Sequence, residues 1–467
     1  MTTTAPPATS RTTRRPIRHR HWLRTGWVMT TSGWSANQFS ALLGAYHSDL
    51  GLTEATTTAL FGVYVLGLIP GLFLGGPAAD RRGRRPVVFA ALALSALATV
   101  LLMAGSVATG LLWPGRFLTG IGAGALLSAG SAWIKELSSP PYDPHSTAGA
   151  AARRSGLFLS AGFATGGLAA ALIAQWAPAP MITAYLPHLA LSATAALLAS
   201  RTPETARTGG LGAARTPDAP AMAPACALSG ASAERSSASH APAPEPLFAP
   251  HDPAPAPSPA PGPTPGSAFR RLVAPVAPWV FVAPSIALAT LPGLVDTGLT
   301  GWQTVYAGIV TAVTPGAGLL VAPLARRLAT RHRIATAVAG LAAVIAGLLL
   351  AAFAAACVRP DAALLAAAVL GAGYGLCVAY GLTEVAALAP PARLARLTAR
   401  FWALCYLGFC TPYAITLLTG LFTPATVLLA AVVPAAATLA LIARRGIGRG
   451  DGAGARRGDR RGTLPTA

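Results

Sequence analysis

Charge is scarce in this chain. Of its 467 residues only 11% are Asp, Glu, Lys or Arg, well under the share of about a quarter typical of soluble domains, so a surface wetted on all sides is excluded. Lysine occurs once, at Lys135, and 15 acidic residues stand against 35 basic ones. The five cysteines (Cys226, Cys357, Cys377, Cys405 and Cys410) are dispersed and form no CxxC pair, which argues against a disulfide framework and a zinc site. No glycine-rich loop ends in Lys-Ser/Thr, so the phosphate cradle of ATP-driven proteins is missing. Neither a nucleophile–base pair nor a cluster of metal ligands stands at a recognisable spacing. The expectation is a non-enzyme without catalytic residues, metal or cofactor. The formal charge of +20 could suit nucleic acid, but nearly all the arginines lie between apolar runs, and nucleic acid is not expected as a partner.

What the sequence has is apolar length. Hydrophobic residues make up 53% of it and the mean hydropathy is +0.54. Runs long enough to cross roughly 30 Å of hydrocarbon begin with Trp22 to Tyr46 and recur near 56–76, 86–106, 111–134, 154–176 and 180–200, then near 272–293, 301–325, 334–357, 362–383, 399–420 and 422–443. The predicted fold is an all-α membrane protein with twelve transmembrane helices in two pseudosymmetric six-helix bundles. Its parts are a tail at 1–21, a first bundle at 22–201, a linker at 202–269, a second bundle at 270–443 and a basic tail at 444–467. The linker is rich in Pro, Ala, Ser and Gly, a composition that cannot bury enough apolar surface to offset ordering entropy, and disorder is expected there. Ala and Gly dominate the spans, which permits close helix packing in lipid.

Arginine position orients the chain. Arg81, Arg82, Arg84 and Arg85, then Lys135, Arg153 and Arg154, then Arg326, Arg327, Arg331 and Arg333, then Arg393, Arg396 and Arg400 all fall in even-numbered connections. The odd-numbered ones hold only Arg359. The positive-inside rule predicts a multi-pass protein of the cell membrane with both termini cytoplasmic, and a monomer is expected in the bilayer. At an offset of about 248 residues Asp49 maps to Asp296, Glu136 to Glu384 and the basic loop at Asp80 to that at Arg326, so the two halves read as a duplicated unit of the sort found in secondary transporters.

The loop between the second and third spans reads Gly76-Pro-Ala-Ala-Asp80-Arg81-Arg82-Gly83-Arg84-Arg85. Gly76 and Gly83 are expected to permit tight backbone at a helix end and in the turn, with Asp80 an anion among guanidiniums. The loop resembles the signature loop of the major facilitator superfamily, roughly G-x-L-a-D-r-x-G-r-r, with Ala78 in place of the usual Leu. The resemblance implies that Asp80 meets the start of the eleventh span near Arg400 to Trp402 as a conformational latch, and that Arg81 or Arg84 pairs with Glu136. The copy at Ala325 to Ala329 has lost both Asp and Gly, so the latch should be asymmetric. Arg116 with Gly120, Gly122 and Gly124 is similar to an arginine-glycine motif of facilitator antiporters. Gly162, Gly166 and Gly167 resemble the exporter signature G-P-x-x-G-G, with Phe163 where Pro is usual; all six glycines also serve as packing surfaces on a bland reading. Arg201-Thr-Pro203-Glu204-Thr205, closing the sixth span, is a short tract familiar in the same family.

No acid falls at mid-membrane. Asp49, Glu54, Asp296 and Asp361 lie near outer span ends, and Asp80, Glu136 and Glu384 near inner ones, so the usual proton carrier of a coupled antiporter lacks a candidate. Arg116 is the one charge inside a span, and charge in hydrocarbon costs at least about 2.5 kcal/mol. It either snorkels outward to Asp49 or Glu54 or faces a central cavity, where it would suit a carboxylate. Trp34, Asn37, Gln38, Tyr374 and Tyr380 are further candidates for substrate or coupling contact, since the resemblance implies that spans one, four, seven and ten line the cavity. Tyr406 in the eleventh span falls outside that set, and His188 reads as a packing histidine. The readings converge on a secondary active transporter of a small organic molecule, anionic or amphipathic, that works by alternating access, with export in exchange for protons preferred. Uptake or facilitated diffusion of a polar metabolite is one alternative. A non-transporting membrane receptor or assembly partner using the linker is another.

Overall fold

The computed structural model describes residues 20–147, 150–205, 265–332, 334–388 and 391–458. Most of the expected linker, at 206–264, and the chain ends lie outside the described residues, and with them the expectation of disorder. Span 1 is His21–Asn37 followed, after a tight turn at Ser40–Leu42, by Leu43–Leu50. Spans 2 to 5 are Glu54–Arg82, Arg84–Ala104, Leu112–Leu137 and Ala150–Trp176, and span 6 is Pro180–Thr183 with Leu186–Ser200. In the second half, span 7 is Pro265–Leu272 with Ala277–Ala289 and Leu291–Leu294, and span 8 is Gln303–Leu320 with Ala322–Arg331. Spans 9 and 10 are Ala335–Cys357 and Pro360–Leu388; span 11 is Pro391–Tyr406 with Thr411–Leu418, and span 12 is Pro424–Gly458. Among the described residues there is no strand. Among the described residues, eleven helices are long and apolar enough to cross a bilayer, and the broken span 1 makes the twelfth.

Local chemistry sets the boundaries. Gly51, at φ +63°, closes span 1, and the Thr53 hydroxyl accepts the Thr56 N–H at 3.2 Å to cap span 2. Span 2 then runs 29 residues, about 43 Å at 1.5 Å per residue, so its last turns project beyond the hydrocarbon. There Gly83, at φ +99°, makes the turn into span 3 in a conformation that residues with a Cβ avoid.

Glycine lets the helix pairs touch backbone to backbone, which in lipid replaces the missing hydrophobic drive. A Cβ at Gly120 or Gly124 of span 4 would stand 2.0 Å from Tyr64 O or 2.4 Å from Leu68 O of span 2. The second half repeats this joint: a Cβ at Gly371 or Gly375 of span 10 would stand 2.1 Å from Thr314 O or 2.4 Å from Gly318 O of span 8. The repeat detected by acidic landmarks is thus also a repeat of contacts. Gly162 and Gly166 seat span 5 on span 1 at Thr30 O and Trp34, and Gly122 faces span 3 at Ala91 O. Gly167 crosses between the halves to Thr311 of span 8, 2.1 Å from where its Cβ would be.

The ends of each half meet on one face, since Arg24 donates to Arg201 O at 2.5 Å and Arg445 donates to Arg271 O. This is the face of the Asp80–Arg85 loop, called the basic side below. The contacts bridging the halves run from mid-membrane to the opposite side: Asn37 to Thr311 O at 3.5 Å, Phe61 against Phe409 at 5.5 Å, Gln175 to Gly301 O at 2.9 Å and Trp176 against Trp302 at 6.2 Å.

Three boundaries differ from expectation. The linker does not start at 202, because Thr202 to Thr205 are tied to the first half by hydrogen bonds described below. The second bundle's first helix already begins at Pro265, and span 12 stays helical through Gly458, past the expected start of a tail at 444.

Candidate functional site

A cavity of about 160 Å³ lies between the halves. It sits where spans 1 and 11 tighten into short 3₁₀ turns, at Ser40–Leu42 and Leu407–Cys410, and both Ser40 and Phe409 line it. Such breaks in a helix often mark hinges and sites. From the first half come the polar Ser32, Asn37, Ser40 and Arg116; the second half brings Phe281, Tyr374, Trp402, Tyr406 and Phe409 with Ser285 and Thr314. Spans 2, 5, 8 and 11 therefore contribute alongside 1, 4, 7 and 10.

Arg116 is fully buried in span 4 and belongs to this lining. Its Nε donates to Leu60 O at 3.2 Å. The guanidinium carbon lies 4.2 Å from the centroid of Phe39 and 5.0 Å from that of Tyr64, so ring faces cover it. Both Nη atoms lack a hydrogen-bond partner. The alternative of an outward-snorkelling arginine paired with Asp49 or Glu54 is corrected: the side chain is wholly buried under aromatic rings, and among the described residues its polar contact is a carbonyl. Nearby, the Tyr46 and Tyr185 hydroxyls share a buried hydrogen bond at 2.6 Å.

Of the other candidates, Asn37 and Tyr374 line the cavity. Asn37 donates to Phe163 O at 2.9 Å and accepts from Ser40 Oγ at 3.1 Å. Tyr374 lies near parallel to Phe281, at 6.0 Å and 26°. Trp34 and Gln38 are outside the lining, as is Tyr380, and these three placements are corrections. Trp34 packs on Gly166, Gln38 is wholly buried with both amide atoms unpartnered, and the Tyr380 hydroxyl donates to Leu272 O at 3.2 Å. All three lie on spans expected to line the cavity, but the face of the helix decides which residues reach it. His188 accepts or donates at both ring nitrogens, to Thr99 at 2.7 Å and Ser192 at 3.3 Å, as a packing histidine should.

The strongest aromatic feature joins spans 7 and 11. Phe281 lies 5.1 Å and 11° from Tyr406 and 4.8 Å from Phe409, and Trp402 lies 6.1 Å and 27° from Tyr406. The spacing of Trp402, Tyr406 and Phe409 puts all three on one helical face, a signal present in the sequence.

On the basic side Arg84 organises the signature loop. Its Nη2 stands 2.7 Å from Glu136 Oε1 and its Nη1 2.7 Å from Asp80 Oδ1. Glu204 accepts the backbone N–H of Arg84 and of Arg85 at 2.8 Å each, an anion on a helix N-terminus. Thr205 donates to Glu136, Arg85 to Thr202 O, and Trp133 Nε1 to Pro203 O at 3.0 Å. The tract 201–205 thus closes over the loop, and a Cβ at Gly83 would be 2.9 Å from Glu204 Oε2. The expected contact of Asp80 with Arg400 to Trp402 is absent among the described contacts: Asp80 holds Arg84 and its side chain is 63% exposed, because the halves join on the opposite side. Arg81 is exposed. Gly76 lies inside span 2 instead of at its end, and it is at its neighbour Gly75 that span 4 comes close, since a Cβ there would stand 2.7 Å from Ala125 Cα.

The family model described as Major Facilitator Superfamily matches residues 26–412. The Multidrug resistance protein MdtL of Escherichia coli (strain K12 / DH10B) is 39% identical over 77 residues, 16% of this chain and 19% of that protein, so the match spans about a fifth of that relative. A POT family transporter in complex with 5-aminolevulinic acid superposes with a TM-score of 0.68 at 12% identity, over 91% of this chain and 96% of that one. A D-xylose-proton symporter does so with a TM-score of 0.59 at 15% identity, over 89% and 96%. At these identities the structures speak to the fold alone.

Proposed function

The chain belongs to the Major Facilitator Superfamily, and from that membership we propose that it exports a small organic molecule through the central cavity by alternating access. The carrying observation is the cavity itself: it lies between two repeated halves, counts the buried Arg116 among its lining residues, and is bounded by contacts between the halves on the side away from the basic loops. With those loops cytoplasmic, as the arginine distribution supports, this geometry is the inward-facing member of the cycle in the cell membrane. The released Asp80 fits it, since a latch to span 11 would form only when the basic side closes. Arg84, Glu136, Glu204 and Asp80 then act as the conformational switch, with Arg81 and Arg85 at its rim.

Export is favoured over uptake by the 39% identity to MdtL over 77 residues and by the glycines Gly162, Gly166 and Gly167. Exchange for protons fits a superfamily exporter, yet among the described residues no carboxylate lines the cavity, so a proton would have to be carried by another group. The substrate reading is an anionic or amphipathic molecule that meets Arg116, Asn37 and Tyr374.

A growth-sensitivity screen of cells with and without the protein, repeated with a proton uncoupler, tests this reading. Expression should raise tolerance to some organic solutes, and the uncoupler should abolish the gain. Tolerance that survives the uncoupler would remove proton exchange. Deleting 210–260 should leave transport within about twofold of wild type, because loop length costs little; a function lost with that segment would favour the receptor alternative.

A further inference from the structure

We propose that an acidic phospholipid seats where spans 7 and 12 end on the basic side, its phosphate among Arg270, Arg271 and Arg444 and an acyl chain along span 12. The site is separate from the central cavity and stands whichever way the cavity transports. In the first half the basic side is neutralised from within: Asp80 and Glu136 flank Arg84, and Asp143 lies 2.8 Å from Arg154. Spans 7 and 12 have no such supply, since no Asp or Glu occurs in residues 265–295 or 424–450. Arg270, Arg271 and Arg444 are exposed, and among the described residues none of them has a carboxylate partner. The counter-charge must come from outside the two helices.

Two contacts bring these arginines together. Trp279 Nε1 donates to Thr438 Oγ1 at 3.2 Å, and Arg445 donates to Arg271 O. The helix Pro265–Leu272 buries Ala268, Phe269 and Leu272 and leaves Arg270 and Arg271 outside, the division expected of a helix at a membrane surface. Arg445 ties the two helix ends, and the other three guanidiniums remain for a ligand. Span 12 specifies the rest of that ligand. Leu429, Val433 and Leu441 are 49%, 69% and 38% exposed, and Arg444, three residues past Leu441, continues their face. Val433 to Arg444 is roughly 16 Å along the helix, about half of a 30 Å hydrocarbon core. One surface thus offers an apolar track as deep as a leaflet, with guanidiniums at its polar end. Guanidinium N–H groups match phosphate oxygens in pairs. A free phosphate would leave the apolar track unused, and a zwitterionic lipid would bring a cation among the arginines, where like charges repel. The combination selects a lipid with a phosphate and no cationic group.

Purified full-length protein in phosphatidylcholine nanodiscs, doped with phosphatidylglycerol that carries a photoreactive headgroup, provides the test. After irradiation, peptide mapping should place the cross-links chiefly at 265–272 and 441–445. Unlabelled phosphatidylglycerol should compete about tenfold better than phosphatidylcholine of the same chains, the scale that a few arginines at an anionic surface supply. Glycerol phosphate, the headgroup without a chain, should not compete at the same concentration. The triple variant Arg270→Gln, Arg271→Gln, Arg444→Gln should lose about nine-tenths of the labelling at these peptides. The pair Arg326→Gln, Arg327→Gln, exposed at the end of span 8, should keep it. Cross-links spread evenly over the basic loops would overturn the proposal, as would equal competition by phosphatidylcholine or by glycerol phosphate. Labelling that appears only after deletion of 210–260 would assign the arginines to the acids of that segment, Asp218, Glu234, Glu245 and Asp252, and would overturn it too. The wild-type map and competition decide the matter even when the triple variant does not fold.

Discussion

Gly120→Val should leave almost no correctly assembled protein. The new side chain would begin 2.0 Å from Tyr64 O and press on the backbone at Leu68 N and Gly67. These are main-chain atoms of a packed helix and cannot rotate away, unlike the tip of a flexible side chain. Overpacking in a core costs about 1–3 kcal/mol when side chains can adjust, and here the helix itself must move, which would also pull Tyr64 from the guanidinium of Arg116. Two controls isolate the cause. Gly122→Ala meets Ala91 O at 3.2 Å, a contact that needs only a small adjustment, and Gly44→Ala meets nothing within 4 Å. Size-exclusion profiles and thermal midpoints should rank Gly44→Ala near wild type, Gly122→Ala slightly below, and Gly120→Val lost. A stable Gly120→Val protein would contradict the backbone joint between spans 2 and 4.

Arg84→Ala should produce the largest change in switching. One guanidinium, 9% exposed, serves two carboxylates, Glu136 and Asp80. Removing it leaves Glu136 beside Thr205 with its charge uncompensated, and Glu204 close by on the backbone of residues 84 and 85. Breaking a buried pair from one side costs about 3–5 kcal/mol; Glu136 keeps 32% exposure, which lowers the penalty toward about 2 kcal/mol. Because residues 201–205 are held by the same network, the loss should free the start of the linker, and limited proteolysis should cut there faster than in wild type. Thermal stability should fall and transport should slow. Arg81→Ala, at an exposed position, should change neither by much. Equal effects of the two variants would deny Arg84 its central place.

The fold was largely legible because bilayer thickness fixes the length of apolar runs and the arginines fix their sequence of sides. The repeat was visible in acidic landmarks, and Gly120 with Gly124 against Gly371 with Gly375 gives it a structural meaning. What the sequence concealed was contact at a distance. Residues 202–205 are polar and follow a span, which gives them the composition of a linker, yet Glu204 binds backbone 120 residues earlier. Trp34, Gln38 and Tyr380 lie on spans expected to line the cavity, whereas a helix at 3.6 residues per turn sends close neighbours to different faces: Asn37 reaches the cavity and Gln38 does not. Arg116 was singled out by the cost of burying its charge, but its aromatic enclosure comes from Phe39 and Tyr64 on two other spans. The aromatic wall had a readable half, the spacing of Trp402, Tyr406 and Phe409, whose partner Phe281 lies more than a hundred residues away in sequence.

Alternation of the sealed side is the claim on which the rest stands, and Trp176 and Trp302 offer the most direct handle. Their rings meet edge to face at 6.2 Å where the halves join, and both side chains are exposed enough to replace, at 65% and 58%. With cysteines at both positions and the native cysteines removed, a short bifunctional thiol reagent should arrest transport and a reducing agent that cleaves the bridge should restore it. Transport that continues at the full rate while the two positions are bridged would contradict the account.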